Sequence, residues 1–153
     1  MTYIDSRLHK EVGSHHASAI YLYFNFQEKT VTIANAGHPY CIVGRQGNQF
    51  EEFKTEGSIL GYNIQKPIAK NYTLPLRAGD RFFLYTDGLS ESTLGFSEIE
   101  LGSEGVLKIL NELKEFLSIQ VIRENLVNSI HNEELRLNFH DDMMFLLIEM
   151  SSL

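Results

Sequence analysis

Apolar and polar side chains alternate along the first third of the chain. Over residues 20–26 the apolar side chains recur at every second position, which is the period of a strand that buries one face. A polar turn over 27–30 leads into a second strand, 31–36, and the strands 40–43 and 49–53 flank a polar stretch that closes a second hairpin. The pattern predicts an antiparallel β-meander.

The rest of the chain changes from strands to helices and ends on a strand. Strands are predicted over 69–76 and over 81–86, where four consecutive apolar residues indicate burial on both faces. Apolar side chains at three- and four-residue steps then predict two amphipathic helices, with Ser103 and Ser118 as their N-caps. The apolar run 143–148 is too short for a typical helix and predicts a central strand. The fold class is therefore α+β, with the helices packed on one sheet face.

Length and composition are those of one globular domain. The chain has 153 residues, 43% of them hydrophobic and 22% charged, and no linker or repeat divides it, so 1–153 is predicted to be a single domain. One cysteine, Cys41, excludes an internal disulfide and a cysteine-based metal site, which is typical of a cytoplasmic protein. We find neither a signal-peptide pattern nor the ~20 consecutive apolar residues that cross a bilayer, so no membrane association is expected.

The charge balance is acidic. The net charge is −7, from 13 basic and 20 acidic residues. Nucleic-acid binding needs a basic surface that displaces counterions, so this balance argues against a nucleic-acid partner. It leaves carboxylates available for a hard cation.

Acidic residues stand at the ends of two apolar strands. Asp87 directly follows the strand predicted to be buried on both faces, and His140, Asp141 and Asp142 precede the last strand. If these strands are antiparallel neighbours, Asp87 and Asp141 meet at one rim, where their oxygens suit Mg²⁺ or Mn²⁺. Such an ion lowers the pKa of bound water enough to make hydroxide at neutral pH. The alternatives are that Asp87-Gly88 is an ordinary turn and that the later aspartates are solubilising charges beside an apolar strand.

A third candidate is the Asn-Ala-Gly-His-Pro segment at 35–39. Glycine and proline are common turn residues, so a turn between strands explains this segment without a function. The remaining histidines form no pair with convincing ligand spacing and are assigned no role: His9, His15, His16 and His131.

Four segments are individually weak signals but specific in combination. They are Asn-Ala-Gly-His-Pro at 35–39, Gly-x-x-Leu-Gly at 57–61, Ala-Gly-Asp-Arg at 78–81 continuing to Thr-Asp-Gly-Leu at 86–89, and Asp-Asp at 141–142. In order and spacing they resemble the SpoIIE/RsbU branch of the metal-dependent (PPM-type) serine/threonine protein phosphatases. The resemblance implies an α-β-β-α sandwich with two Mn²⁺ or Mg²⁺ ions between its sheets. It also implies that a water held by these ions attacks phosphorus without a phosphoenzyme intermediate.

The same resemblance assigns residues. Asp87 and Asp141 match catalytic, metal-binding aspartates of the family. Asp142 stands where relatives carry Asp or Asn, and we place it in the same metal site as a support for the ligands. Glu91 matches a recurrent glutamate whose role the sequence does not define, and Met144 replaces a usual threonine.

One family motif has no counterpart. The first metal motif, Gly-Asp followed by Gly-His-Gly, is absent, and Gly79-Asp80 falls at a later turn of the family pattern. The chain therefore resembles the C-terminal part of a catalytic domain. We expect it to be inactive alone and to bind Mn²⁺ or Mg²⁺ weakly or not at all.

The function implied by the resemblance is that of a bacterial signalling phosphatase. Such an enzyme removes phosphate from phosphoserine or phosphothreonine on a regulatory protein, often an anti-sigma-factor antagonist. Two other hypotheses stay open: a non-catalytic, phosphatase-like protein-interaction module, and a β-rich ligand-binding domain.

Self-association is a further expectation. Without the segment that carries the first motif, strand edges or an apolar face would lie uncovered, and a two-fold homodimer is the commonest way to cover them. The alternative is a monomer in which a helix over 3–12 folds across the gap.

Overall fold

The computed structural model of the chain describes most of its residues: 1–11, 16–45, 49–62, 69–94, 98–113, 119–131, 137–138 and 141–152. The predicted site residue His140, the predicted cap Ser118 and the histidine His15 lie outside these ranges. The chain divides into two compact units, one built from Met1–Tyr40 and Lys54–Arg77 and the other from Cys41–Phe53 and Ala78–Ser152.

Helices and antiparallel strands make up both units, which gives the α+β class predicted from the sequence. In chain order the elements are α1 (Thr2–Glu11), β1 (Ala19–Asn25), β2 (Thr30–Ala36), β3 (Cys41–Gly44), β4 (Phe50–Phe53), β5 (Asn71–Pro75), β6 (Arg81–Tyr85), α2 (Asp87–Ser90), β7 (Thr93–Leu94), α3 (Gly102–Glu112), α4 (Ile119–His131), β8 (Leu137–Asn138) and β9 (Phe145–Glu149). Within the described ranges, no helix combines the length and the apolar character that a membrane span requires.

The first unit contains a three-stranded antiparallel sheet in the order β1-β2-β5. The turn between β1 and β2 begins at Phe26, because the Asn25 side-chain oxygen accepts hydrogen bonds from the backbone N–H groups of Gln27 (3.1 Å) and Glu28 (3.0 Å). Phe26 was predicted to continue the buried stripe. It instead lies in the turn with 62% of its surface exposed.

The helix α1 is anchored to the loop that carries the Gly-x-x-Leu-Gly segment. The Gly61 N–H donates to Oδ1 of Asp5 (2.7 Å), a fully buried carboxylate, and Nδ1 of His9 lies 3.0 Å from the Gly61 carbonyl oxygen. Leu8 packs against a small core that contains Leu60. A helix close to residues 3–12, which the sequence offered only as part of the monomeric alternative, is therefore present, and its polar side chains hold this loop.

The second unit contains a four-stranded antiparallel sheet in the order β4-β3-β6-β9, with α3 and α4 contributing to its core. Phe83 and Tyr85 of β6 pack in one cluster with Leu110 of α3 and Leu126 of α4. These two helices show the predicted amphipathic pattern, because their three- and four-residue steps place the apolar side chains on one side.

Several predictions about element arrangement are wrong. The strands do not form one continuous meander, because β2 and β3 belong to different sheets. The last strand is an edge strand of its sheet in the described chain, not a central one, since β9 pairs with β6 alone. Ser103 is not the N-cap of α3, because the helix begins at Gly102 after Leu101. The elements α2, β7 and β8 were not predicted, because each spans at most four residues, which is too short for a periodic pattern.

Candidate metal centre

The pairing of β6 with β9 brings the two acidic segments to one rim. The strands are antiparallel, with Tyr85 opposite Phe145 at the end of β6 and the start of β9. One residue further, the Thr86 N–H donates to the Met144 carbonyl oxygen over 2.9 Å. Asp87 therefore leaves the sheet beside the segment that holds Asp141 and Asp142, as the sequence predicted.

The Thr86 side chain fastens these two segments together. Its hydroxyl oxygen accepts a hydrogen bond from the Met144 N–H (2.9 Å) and lies 3.3 Å from the Asp142 carbonyl oxygen, to which the hydroxyl can donate. One threonine thus bonds two backbone groups of the segment that follows Asp141. Thr86 belongs to one of the sequence motifs, but this role is not visible in the sequence because its partners lie more than fifty positions away.

Gly88 is required by space at this rim. A Cβ atom built on Gly88 would lie 2.6 Å from the Asp142 carbonyl oxygen and 3.2 Å from that of Asp141. The backbone of Gly88 is helical and is not among the glycines with positive φ, so conformational freedom is not the reason for this glycine. The absence of a side chain lets α2 approach the Asp141–Asp142 backbone closely.

Three exposed carboxylates stand at the rim: Asp87, Asp141 and Asp142. Oδ1 of Asp87 accepts a hydrogen bond from the Gly88 N–H (3.1 Å), and Oδ1 of Asp141 accepts one from the Asp142 N–H (2.7 Å). Each of these bonds engages one of the two oxygens of its carboxylate. Exposed carboxylate oxygens on a backbone fixed by Thr86 and Gly88 have the chemistry that Mg²⁺ and Mn²⁺ require.

The described carboxylates do not form a complete metal site. In the part of the chain that the structure describes, no three His, Cys, Asp or Glu side chains are grouped so that they could hold a metal ion. The donors fit a divalent cation by type, and further oxygens would have to come from water, from a phosphate group or from protein outside the described residues.

Glu91 and Tyr85 flank the rim. The Glu91 N–H donates to the Asp87 carbonyl oxygen (2.8 Å) and closes α2, while its side chain is exposed. Tyr85, which precedes Thr86, is buried. Burial, and to a lesser extent the negative charge of Glu52, raise the pKa of the Tyr85 hydroxyl to about 12.

The other motif segments form turns. The Asn35 side chain accepts a hydrogen bond from the His38 N–H (2.9 Å) and donates one to the His38 carbonyl oxygen (2.8 Å), and Gly37 between them has a φ of 72°. This geometry agrees with the turn interpretation of 35–39. Asp80 is buried in an ion pair with Arg45, which agrees with the inference that Gly79-Asp80 does not replace the missing metal motif.

A sequence comparison decides the family. The family described as stage II sporulation protein E (SpoIIE) matches residues 1–151. The chain belongs to the SpoIIE family. Comparison with curated proteins finds no significant match.

Solved structures show that this member of the SpoIIE family has a PP2C-type fold. The SiaA PP2C domain of Pseudomonas aeruginosa matches 95% of the chain with a TM-score of 0.75 at 16% identity. The RsbU and RsbW domains of Rv1364c from Mycobacterium tuberculosis match 95% with a TM-score of 0.73 at 20% identity. RsbX, solved in complex with magnesium, matches 95% with a TM-score of 0.64 at 19% identity.

The chain spans only part of these structures: 56% of the SiaA domain, 40% of the Rv1364c chain and 62% of RsbX. At these identities the similarity establishes the fold. Between about two fifths and three fifths of each matched structure has no counterpart in this chain.

Proposed function

We propose that this chain supplies part of the metal site of a Mn²⁺- or Mg²⁺-dependent phosphatase that hydrolyses phosphoserine or phosphothreonine on a regulatory protein. The supporting observation is the β6–β9 pairing, which brings Asp87 beside the Asp141–Asp142 segment at one rim. Membership of the SpoIIE family adds support, as does similarity to RsbX, which was solved with magnesium.

The proposed roles follow from the contacts at the rim. Asp87 and Asp141 hold the cation through their exposed oxygens, and Asp142 supports the backbone turn between them. Thr86 and Gly88 set the spacing of the two segments. When bound, Mn²⁺ or Mg²⁺ neutralises charge on the phosphoryl oxygens and lowers the pKa of the attacking water.

The proposal extends to the protein partner, to the cellular location and to the activity of this chain when it is tested by itself. The substrate class is a phosphorylated signalling protein such as an anti-sigma-factor antagonist, in the cytoplasm, where a single buried cysteine such as Cys41 stays reduced. The described rim has too few carboxylates for two ions, so residues 1–153 act as one partial domain, bind metal weakly and do not turn over by themselves. Self-association is also proposed.

A second candidate function is a non-catalytic, phosphatase-like interaction module. The observation in its favour is that no three-residue ligand group occurs among the described residues. In that case Asp87 and Asp141 are solvent-exposed turn residues, and neither has a function that depends on its charge.

Metal titration distinguishes the two candidates on the chain itself. We expect addition of Mn²⁺ to broaden the backbone NMR signals of Asp87, Gly88 and Asp141 first, because paramagnetic broadening falls steeply with distance from the ion. Asp87→Asn and Asp141→Asn should each weaken binding by about tenfold or more, since each removes a charged ligand. Glu28→Gln is the matched control, because Glu28 is an exposed carboxylate in the β1–β2 turn.

The activity test needs the complete site. A protein that contains this chain together with an upstream Gly-Asp motif is expected to hydrolyse a phosphoserine peptide only with Mn²⁺ or Mg²⁺, and Asp87→Asn should remove most of that rate. Unchanged turnover in Asp87→Asn would contradict the assigned role.

In the metal titration, Mn²⁺ broadening that is equal in Glu28→Gln and Asp87→Asn would favour the interaction module.

A further inference from the structure

We propose that Leu89 is a positioning residue of the candidate metal centre: it seats α2 in the apolar core of the second unit and thereby sets the place of Asp87 beside the Asp141–Asp142 segment. This role rests on the proposed function, because it concerns the same metal site. Three features carry it: the shortness of α2, the core that holds Leu89, and the connection from α2 to α3.

The helix α2 cannot fix its own position. It spans only Asp87–Ser90, with Asp87 as its first residue. One helical turn orders several backbone angles for very few hydrogen bonds, so it is unstable in water by itself. The bond that closes this turn, from the Glu91 N–H to the Asp87 carbonyl oxygen (2.8 Å), does not fix the turn against the sheet. Contacts with the rest of the unit therefore determine where Asp87 stands.

Leu89 is the side chain by which α2 enters the core. It is 1% exposed and belongs to one apolar cluster with Val106 and Leu110 of α3 and Leu126 of α4. Residues two positions apart in a helix point to nearly opposite sides, because each residue turns the helix by about 100°. Leu89 therefore faces the core while Asp87, two positions earlier, is exposed at the rim. One short helix joins the apolar core to the candidate ligand.

The same core supports the other acidic segment. Met143 directly follows Asp142, is half-buried and packs against this cluster. A Cβ atom on Gly88 would lie only 2.6 Å from the Asp142 carbonyl oxygen, so α2 and this segment are already in close contact. Close-packed groups transmit displacements to their neighbours. A shift of Leu89 therefore changes how the two acidic segments face each other.

The end of α2 is tied to the start of α3. Ser92 is fully buried, and its hydroxyl donates to the Leu89 carbonyl oxygen over 2.6 Å. The Ser92 carbonyl oxygen in turn accepts a hydrogen bond from the N–H of Leu101, the residue before α3 (2.7 Å). These bonds fix the backbone behind Leu89. They leave the Leu89 side chain to determine how deeply α2 sits in the core.

Truncation of Leu89 leaves a cavity beneath α2. Core residues relax only partly around such a cavity. A four-residue helix is displaced more easily than α3, which has eleven residues and further core side chains such as Val106. Replacing a residue that orients metal ligands typically changes metal affinity by about 10- to 100-fold. We therefore expect Leu89→Ala to weaken Mn²⁺ binding about tenfold.

Leu110→Ala is the matched control. Leu110 is the same residue type, is fully buried and belongs to the same cluster, but it lies on α3. Mn²⁺ is titrated into wild type and both variants at a temperature at which circular dichroism shows all three to be folded. The Kd is taken from the broadening of the Asp87 and Asp141 backbone NMR signals. A difference between two equally folded variants reports the position of α2 and not the loss of a core side chain.

A second readout needs no metal. The Asp142 backbone lies against α2, and the Met144 N–H bonds the hydroxyl of the threonine before α2, so the amide chemical shifts of Asp142 and Met144 report the position of this helix. Both residues are far from Leu89 in the sequence, so the substitution does not act on them as a neighbour. We expect both signals to shift in Leu89→Ala and to stay nearly in place in Leu110→Ala.

The expected Kd for Mn²⁺ is about tenfold higher in Leu89→Ala and within about twofold of wild type in Leu110→Ala. Leu89→Met keeps the side-chain volume and should stay within about twofold of wild type. Equal effects of the two alanine variants, or no effect of Leu89→Ala, would overturn the positioning role. If Leu89→Ala is misfolded, Leu89→Val and Leu110→Val make the same comparison with a smaller cavity, and a difference of about threefold in Kd is expected.

Asp87→Asn separates this role from the proposed function. If wild type binds Mn²⁺ at the rim and Asp87→Asn loses that binding, but the Leu89 and Leu110 variants behave alike, the metal site stands and Leu89 does not position it. If wild type shows no broadening at Asp87 and Asp141, the proposed function fails and the role of Leu89 fails with it.

Discussion

Replacement of Gly88 by alanine tests the close approach that holds the acidic rim together. The added methyl group would lie 2.6 Å from the Asp142 carbonyl oxygen and 3.0 Å from its carbonyl carbon, both of which are backbone atoms. Backbone atoms cannot rotate away as a side chain can. The contact is therefore relieved only if α2 moves away from the Asp141–Asp142 segment.

The magnitude follows from two opposing effects. Overpacking by one methyl group in a close contact costs about 1–3 kcal/mol of the free energy of unfolding. Alanine is a better helix former than glycine by up to ~1 kcal/mol, although α2 spans only four residues and gains little of this. We therefore expect Gly88→Ala to lower the free energy of unfolding by about 1–2 kcal/mol, and the Tm by about 2–8 °C in a chain of this size.

Gly105→Ala is the matched control. A Cβ atom on Gly105 would meet Cδ1 and, at 2.7 Å, Cγ of Leu101. These atoms belong to a partly exposed side chain that can rotate away, unlike backbone, and Gly105 lies within α3, where alanine is favoured. Urea unfolding followed by circular dichroism should show destabilisation in Gly88→Ala and a neutral or stabilising effect in Gly105→Ala. Equal midpoints for Gly88→Ala and wild type would refute the argument from space.

Two further predictions concern the residues that lead to the rim. Burial raises the pKa of Tyr85 to about 12 from about 10, so its contribution to stability is full below pH ~10 and is lost as the pH rises through ~12. Over this range the free energy of unfolding of wild type should fall by roughly 1–2 kcal/mol more than that of Tyr85→Phe. Parallel curves of unfolding free energy against pH for the two proteins would contradict this prediction. Thr86→Val leaves the Met144 N–H without its acceptor and should cost about 1–3 kcal/mol of the free energy of unfolding in urea. Thr86→Ser keeps the hydroxyl and should retain most of the wild-type stability. Equal loss in both variants would show that the hydroxyl is not what Thr86 contributes.

The sequence predicted the strands well where local chemistry determines them. Alternation over 20–26 located β1, and in the structure the intervening Tyr21 and Tyr23 are the exposed side chains. The end of that strand was misplaced because Asn25 closes the turn with its own side chain, and this choice between strand and turn depends on hydrogen bonds that periodicity does not record.

The distribution of strands between sheets could not be predicted in the same way. Period-two alternation indicates which face of a strand is buried but not which strand lies beside it, so β2 and β3 were joined in one meander although they belong to separate sheets. An apolar run such as 143–148 likewise has the same sequence pattern in a central strand and in an edge strand. In β9, an edge strand of the described sheet, the Leu146 side chain is 53% exposed.

For the candidate site, too, the sequence indicates the features that are local but not the long-range contacts. Asp87 and Asp141 were proposed from the sequence because charge at a strand end is visible locally, and β6 and β9 are the antiparallel neighbours that this proposal requires. What makes the site specific is not local: Thr86 bonds backbone groups 56 and 58 positions away. Gly88 is likewise required because a Cβ atom at this position would be too close to the Asp141–Asp142 backbone. A threonine before an aspartate and a glycine after it are also common in ordinary turns. Only the long-range contacts therefore distinguish this arrangement from an ordinary turn.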